Sequence, residues 1–487
     1  MKIKTINDQT GMVLPLVLVF GTIAILILGG IVSWGILNLK AARQAVKKET
    51  AFQIAESGFE YYRWHLAHAS TDYQDGTGVA GPYVHIFYDK SGYQIGQFSL
   101  DITPPIIGSS IVTIKSSGKS NSDFLGQRTL ITRLAKPSLA KFAVAANSNM
   151  RFGEGTEVFG PIHSNSGIRF DGLAHNIVTS ALNKYTDPDH GGGKEFGVHT
   201  HVNAPPGSGI NDNFRPLEAP PNTPAARADV FLAGRQFPVP VIDFTGLTAD
   251  ISQMKSDAIA AGFYRAGSGS LGYHVVLKIN DTFDLYKVTA LKAPPSGCSS
   301  GEAGWGTWSI NTETLIGNYP FPGNGLIYLE DNVFVDGQIN TARVTLVAAI
   351  FPDDPVSRKN ITINNNLLYT NYDGQDVIAL IAQNDINVGL YSSDVLRIDA
   401  AIVAQNGRAG RHYYTRGSSR CGSTVIRQTL TLYGMIATNL RYGFAYTDGT
   451  GYQIRNLIYD ANLLYSPPPS FPLTSDQYTT LSWEELQ

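Results

Sequence analysis

Five of the ten histidines fall in one stretch: His163, His175, His190, His199 and His201. Successive side chains of an extended strand point to opposite faces, so His199-Thr200-His201 would set two imidazoles on one side. Two imidazoles so placed are half of a site for zinc or another transition metal, with His163 a further candidate ligand. Asp187, Asp189 and Glu195 lie near enough in sequence to complete it. HxH without further fixed spacing is short of a defining motif, and surface-loop histidines without a metal are the alternative reading.

Carboxylates offer a second chemistry. Asp353, Asp354, Asp394 and Asp399 would make an acid/base cluster if the fold brought them to one face, as in carbohydrate-cleaving β-helices. Asp353-Asp354-Pro355 reads equally well as a turn. The tracts LYTNYDGQD and AYTDGTGYQ carry loop oxygens suited to calcium but not the EF-hand spacing. No nucleophile elbow, HExxH, phosphate-binding loop or dinucleotide fingerprint is present, so no cofactor is expected. Cys298 and Cys421, both in Gly/Ser-rich loops, would form one disulfide in an oxidising compartment; two free thiols are the alternative. Tyr413, Tyr414, Tyr442, Phe444, Tyr446, Tyr452, Tyr459 and Tyr465, with Arg408, Arg411, Arg416 and Arg420, suit either a contact surface for a glycan or protein ligand, or packing between coils.

These residues must be held by a chain of 487 residues, enough for more than one domain. Charged residues are 16% of it while Gly (49) and Tyr (24) abound, which suits a β-rich exported protein. A net charge of -3 does not specifically indicate nucleic acid. Residues 12–37 are an uncharged apolar run; as a helix it reaches about 39 Å, more than the roughly 30 Å core of a bilayer. Beyond it Ala45, Phe52, Ala55, Phe59, Tyr62 and Leu66 keep one apolar stripe, so a single helix continues to residue 68, first apolar all round and then amphipathic.

The leader MKIKTINDQTG ending in Gly11, the apolar run, and then AFQIAESGFEYYRWHLA with Ala51, Ala55, Glu56 and Gly58 resemble the type IV pilin superfamily, in particular PilX-like and type II secretion K-like minor pilins. The resemblance covers roughly the first 70 residues. It implies that a prepilin peptidase cuts after Gly11 and methylates the amine of Met12. It also implies pilin subunits as partners, the inner membrane as the starting place, and a head outside the cytoplasm that reaches the cell surface after assembly. Most family members carry a glutamate at the fifth mature position; here it is Leu16, which cannot pair with a neighbour's terminal amine, a departure the resemblance links to filament tips or initiation. Pro15 fits a helix start, where amide donors have no intrahelical partner. Lys40, Arg43, Lys47 and Lys48 after the span favour the reverse orientation by the positive-inside rule.

The expected fold is mainly β. A leader (1–11) and a transmembrane and stem helix (12–68) precede a small pilin-like β-sheet subdomain (69–140). The first part of a right-handed parallel β-solenoid (141–180) follows, then an α+β insertion of loops, helix and hairpin (181–322), the solenoid proper (323–465), and a Pro-rich strap or cap (466–487). Strands ending in Ala382-Gln383-Asn384, Ala404-Gln405-Asn406 and Ala437-Thr438-Asn439 carry the solenoid reading, with a β-sandwich as its alternative. In the insertion, Leu247, Ile251, Met254 and Ala258 mark a helix stopped by Gly262, and Leu481, Trp483 and Leu486 would cover an open end of the solenoid. The functional expectation is a non-enzymatic minor pilin or pseudopilin-like protein acting in pilus assembly, initiation or tip adhesion. The alternatives are a membrane-tethered carbohydrate-active β-helix enzyme and a plain anchored envelope protein.

Overall fold

The computed structural model describes residues 13–105, 109–121, 126–244, 247–415 and 421–486; Gly11 and Met12 lie outside them, as do Arg416 and Arg420. The chain is mainly β and divides into two compact units.

The first unit is built on α1 (Val13–His68). Its first half presents Val13 to Leu39 exposed, and it is long and apolar enough to cross a membrane. Pro15 and Leu16 lie in its first turn. Its second half buries Ala51, Ile54, Ala55, Gly58, Phe59, Tyr62 and Leu66. Ala45, expected on this stripe, is exposed, and Phe52 is half-buried. The buried stripe lies on an antiparallel sheet of Tyr83–Tyr88, Gln94–Thr103, Val112–Ser120 and Arg128–Ala135. Alternate residues Val112, Ile114, Ser116, Gly118 and Ser120 face inward, the period-2 pattern of a half-buried strand. Helix and sheet approach closely through two glycines: a β-carbon at Gly58 would sit 2.4 Å from Ser116 Oγ, and one at Gly118 would sit 2.3 Å from the Ala51 carbonyl oxygen. Ser116 donates to the Ala55 carbonyl at 2.6 Å.

A fifth strand, Thr479–Leu486, joins the far edge of this sheet. Trp483 packs edge-on against Phe52 at 5.8 Å, and Glu485 pairs with Arg128. Leu481, Trp483 and Leu486 therefore belong to this sheet and not to a solenoid cap: their strand pairs an edge whose backbone groups would otherwise be open.

The second unit is a stack of coils with three ladders of parallel strands, solenoid-like as expected. Its longest ladder runs Phe263–Arg265, Leu326–Leu329, Arg343–Ala348, Val377–Ala382, Val395–Ala404, Ile426–Thr438, Val144–Ala146, Ile162–Ser164, Val178–Ser180 and Arg235–Gln236. One inward column, Ile327, Leu346, Leu380, Ile402, Ile436, Val144, Ile162 and Val178, stays in register through eight strands. Outward neighbours such as Val347, Ala379, Ile381, Val403 and Met435 are buried too, beneath α2 (Leu247–Ala261), Ile242, Phe244, Leu463 and Phe471. Both sides of the ladder are covered, which is why its strands read as unbroken apolar runs.

The ladder order corrects the expectation for 141–180. It is not the terminal first coil: Val144–Ala146 stacks on Ile436–Thr438, the last coil of the C-terminal series. The chain enters the stack in the middle and winds to one end at Gln236. It returns along the outside through α2 to the other end at Phe263, then winds back to its entry point. Parts of 181–322 accordingly belong to the stack: Val198–His199, Arg235–Gln236, Phe263–Arg265 and Tyr273–Leu277 join its parallel ladders. Tyr273–Leu277, the first arm of the expected hairpin with Thr282–Leu291, pairs in parallel with Val333–Ile339, and Ile310–Pro320 adds a third arm. Asparagines cross-link coil edges: Asn147 donates to Asn439 and Asn165 to Asn147, both at 2.8 Å. The strap's Ser466, Pro467 and Pro469 carbonyls accept from Arg343 and Thr345, holding it along the stack.

Candidate metal centre

Beyond Ser180 the chain leaves the stack for a long excursion, and its first part builds the site. Lys184–Tyr185 pairs antiparallel with Glu195–Phe196, so residues 186–194 form the connecting loop. Gly197 is required beside it, because a β-carbon there would lie 1.7 Å from the Leu182 carbonyl oxygen. Val198–His199 then rejoins the stack in parallel with Ile168–Phe170, placing His199 opposite Arg169.

This path brings Asp187, His190, Glu195, His199 and His201 together, with one donor atom of each within 4.8 Å of all the others. The three Nε2 atoms of His190, His199 and His201 lie 3.0, 3.0 and 3.3 Å from Glu195 Oε2, and 3.4, 3.4 and 4.0 Å from Asp187 Oδ2. The other atoms are held from outside. His201 Nδ1 sits 2.7 Å from the Asn211 carbonyl and His190 Nδ1 3.0 Å from the Gly191 carbonyl, which fixes the N–H on Nδ1 and leaves the Nε2 lone pair facing the centre. Asp187 Oδ1 accepts from the Asp189 amide at 2.9 Å and Glu195 Oε1 from the Arg215 amide at 2.8 Å.

Asp187, Glu195, His199 and His201 are buried, and His190 is nearly so. Despite its short contacts, neither His199 nitrogen has a hydrogen-bond partner, and Asp187 Oδ2 has none. Burial works against ionising Asp187, yet the facing His199 and the Asp189 amide hold it down at about 2. Glu195 is held well below the carboxylate range in the same way, with burial overcome by His199 and His201. Burial likewise opposes a charge on His199, but Asp187 and Glu195 outweigh it and raise its pKa.

A shell of ion pairs surrounds the cluster. Asp189 pairs with Arg441 at 2.7 Å and Arg151 at 3.4 Å, and so does not face the centre. Arg169, buried, pairs with Asp171 at 2.6 Å and with Asp212, while Asp171 Oδ1 accepts from the His201 amide. Among the described residues no lysine or arginine lies within ion-pair distance of Asp187 or Glu195.

The remaining candidates lie elsewhere. His163 is buried with its ring nitrogens on Thr179 and Asn165, and burial lowers its pKa. It is therefore a poor ligand for the cluster despite its sequence proximity. His175 stacks on Phe159 at 4.0 Å. The four aspartates have separate contacts: Asp353 with Arg358 and Gln383, Asp354 and Asp394 with turn or strand amides, and Asp399 with Arg397 and Tyr372. Cys298 and Cys421 are bonded, beneath Leu390, Tyr414 and Val425. Of the aromatic and arginine group, Tyr414, Tyr442, Phe444 and Tyr452 are buried, and Arg411 is bonded to the Gly389, Leu390 and Thr424 carbonyls, so packing accounts for these members. His190 had no pattern to mark it as a ligand; the HxH pair was legible because its spacing puts both rings on one side of the segment that runs on from strand Val198–His199.

No protein-family model matches the chain, and no curated protein matches it. Among solved structures it is similar to the competence-associated pilin ComZ from Thermus thermophilus, with 13% identity, a TM-score of 0.30, and 90% of this chain and 97% of that one covered.

Proposed function

We propose that this chain is a minor-pilin-like surface protein whose α1 anchors it in the inner membrane and then packs among other pilin subunits, displaying the coiled head outside the cytoplasm. The observation that carries this reading is the division of α1. One half is wholly apolar and exposed, and the other is buried under a small antiparallel sheet through Ala51, Ala55 and Gly58. A plain anchor needs no such union, whereas a filament subunit carries a small folded sheet packed on the helix that enters the filament core. Leu16, 57% exposed, supports a place at the tip or in initiation, since it offers no carboxylate to a neighbour's amine. Processing after Gly11 with methylation of Met12 follows from the same reading.

The head acts by display and attachment, not catalysis; the separate contacts of Asp353, Asp354, Asp394 and Asp399 support this. Its ligand is a surface glycan or protein. The test is to shear filaments from cells and probe them for the head. Recovery with the filaments, lost when Gly58 is replaced by Val, is expected; a head that stays wholly with the membrane fraction contradicts the proposal.

A further inference from the structure

We infer that Asp187, His190, Glu195, His199 and His201 bind one first-row transition-metal dication, which pins the excursion between Ser180 and Arg235 to the coiled stack. Four observations carry this.

The first is distance. Metal–nitrogen and metal–oxygen bonds of about 2.1 Å put donors at right angles about 3.0 Å apart and opposed donors about 4.2 Å apart. The six imidazole–carboxylate separations run from 3.0 to 4.0 Å, inside that window.

The second is orientation. His199 Nε2 lies 3.0 Å from Glu195 Oε2 and yet forms no hydrogen bond, and Asp187 Oδ2 is likewise buried without one. Buried polar atoms normally find partners; His190 and His201 Nε2 are within hydrogen-bond distance of Glu195 Oε2, while His199 Nε2 and Asp187 Oδ2 turn into the same centre with none, which leaves a place for a cation between them.

The third is the outer support. Each carboxylate gives one oxygen to a backbone amide and turns the other inward, and His190 and His201 anchor Nδ1 on carbonyls. This is the outer shell that orients ligands and sets the tautomer at protein metal sites.

The fourth is charge. Two carboxylates balance one dication, leaving a buried neutral centre, while the neighbouring arginines are taken by Asp171, Asp189 and Asp212. Three imidazoles select a transition metal over calcium or magnesium, which prefer all-oxygen sites.

The centre ties residues 187–201 to one another, and through Asn211 and Arg215 to the next turn of the excursion. The strands of this region are only two residues long, so the ion supplies cross-links that the ladders do not.

The test uses the full-length protein in detergent, purified without chelator, with metals counted by mass spectrometry before and after exchange against Zn2+, Mn2+ or Co2+ alone. About one transition-metal ion per chain is expected, falling at least about tenfold in the Asp187→Asn/Glu195→Gln variant and unchanged in His175→Ala. Chelation should speed amide exchange in 184–215 and leave the strands Leu326–Leu329, Arg343–Ala348, Val377–Ala382 and Ile426–Thr438 protected. Because the variant could misfold, wild-type protein is also titrated with Co2+ and read by visible absorption of the bound ion. Wild-type protein that binds no Co2+, Zn2+ or Mn2+, or holds only calcium or magnesium, overturns the inference. Neither result bears on filament recovery, so the test is independent of the pilin-like reading.

Discussion

Replacing Gly118 by Ala adds one methyl group where the stem helix meets its sheet. The new β-carbon would lie 2.3 Å from the Ala51 oxygen, 2.3 Å from the Ala55 nitrogen and 2.9 Å from the Ala55 α-carbon. The closest favourable carbon–oxygen approach is about 3.3 Å, so α1 must lift by about 1 Å. All three are backbone atoms and cannot rotate aside. A gap of that size forfeits a quarter to a half of the dispersion energy along the Ala51, Ile54, Ala55 and Gly58 stripe, and it stretches the 2.6 Å bond from Ser116 to Ala55. Overpacking costs about 1–3 kcal/mol and the strained hydrogen bond about 1 kcal/mol, against about 0.5 kcal/mol gained by removing a strand glycine. The expected net loss is about 1.5–3.5 kcal/mol. Amide exchange of the full-length protein in detergent measures it at the slowest amides of Val112–Ser120. Gly153→Ala, where the added carbon meets nothing within 4 Å, is the control and should change stability by less than about 0.5 kcal/mol. A Gly118→Ala loss no larger than the control's would refute close helix–sheet contact at this point.

Three further outcomes are expected. Replacing both Cys298 and Cys421 by Ala opens a loop closed over 123 residues, worth about 4 to 5 kcal/mol in the chain-entropy model, and should lower the thermal midpoint of the oxidised protein to that of the reduced one. Asn165→Ala removes both partners of the Ile242 backbone, its N–H at 2.8 Å and its carbonyl at 2.7 Å; a loss of about 2 kcal/mol should appear as faster proteolysis just before α2. Glu302, whose burial is overcome by His412, Arg408 and the Tyr413 amide, has its pKa lowered from 4.5 to about 2. Its contribution is therefore complete above about pH 4.5 and is lost as pH falls toward 2, so the stability gap between wild type and Glu302→Gln, at most about 3 kcal/mol, should close over that window in an acid titration.

Local periodicity made the helices legible. The α2 positions Leu247, Ile251, Met254 and Ala258 are all buried as their spacing requires. Stack order was not legible, because Val144–Ala146 and Ile436–Thr438 are nearly 300 positions apart and nothing in either short run names its neighbour. The repeated Ala-x-Asn endings were only partly in phase: Ala382 pairs with Ala404, but Ala404 pairs with Thr438, one residue beyond the alanine that matches it by eye. Tyr83–Tyr88 and Thr479–Leu486 were missed as strands, since the first follows a loop rich in Gly and the second a run of prolines. In the cluster, His199 and His201 share one side of an extended segment and could be read directly. Asp187 and His190 reach it through the turn of a hairpin, whose geometry depends on Gly197 passing Leu182, a contact no spacing rule encodes.

The most direct test of the pilin-like account is the mass of the mature N-terminus from native cells. A chain beginning at methylated Met12 is the expected result, and a chain that retains Met1 through Gly11 would contradict it.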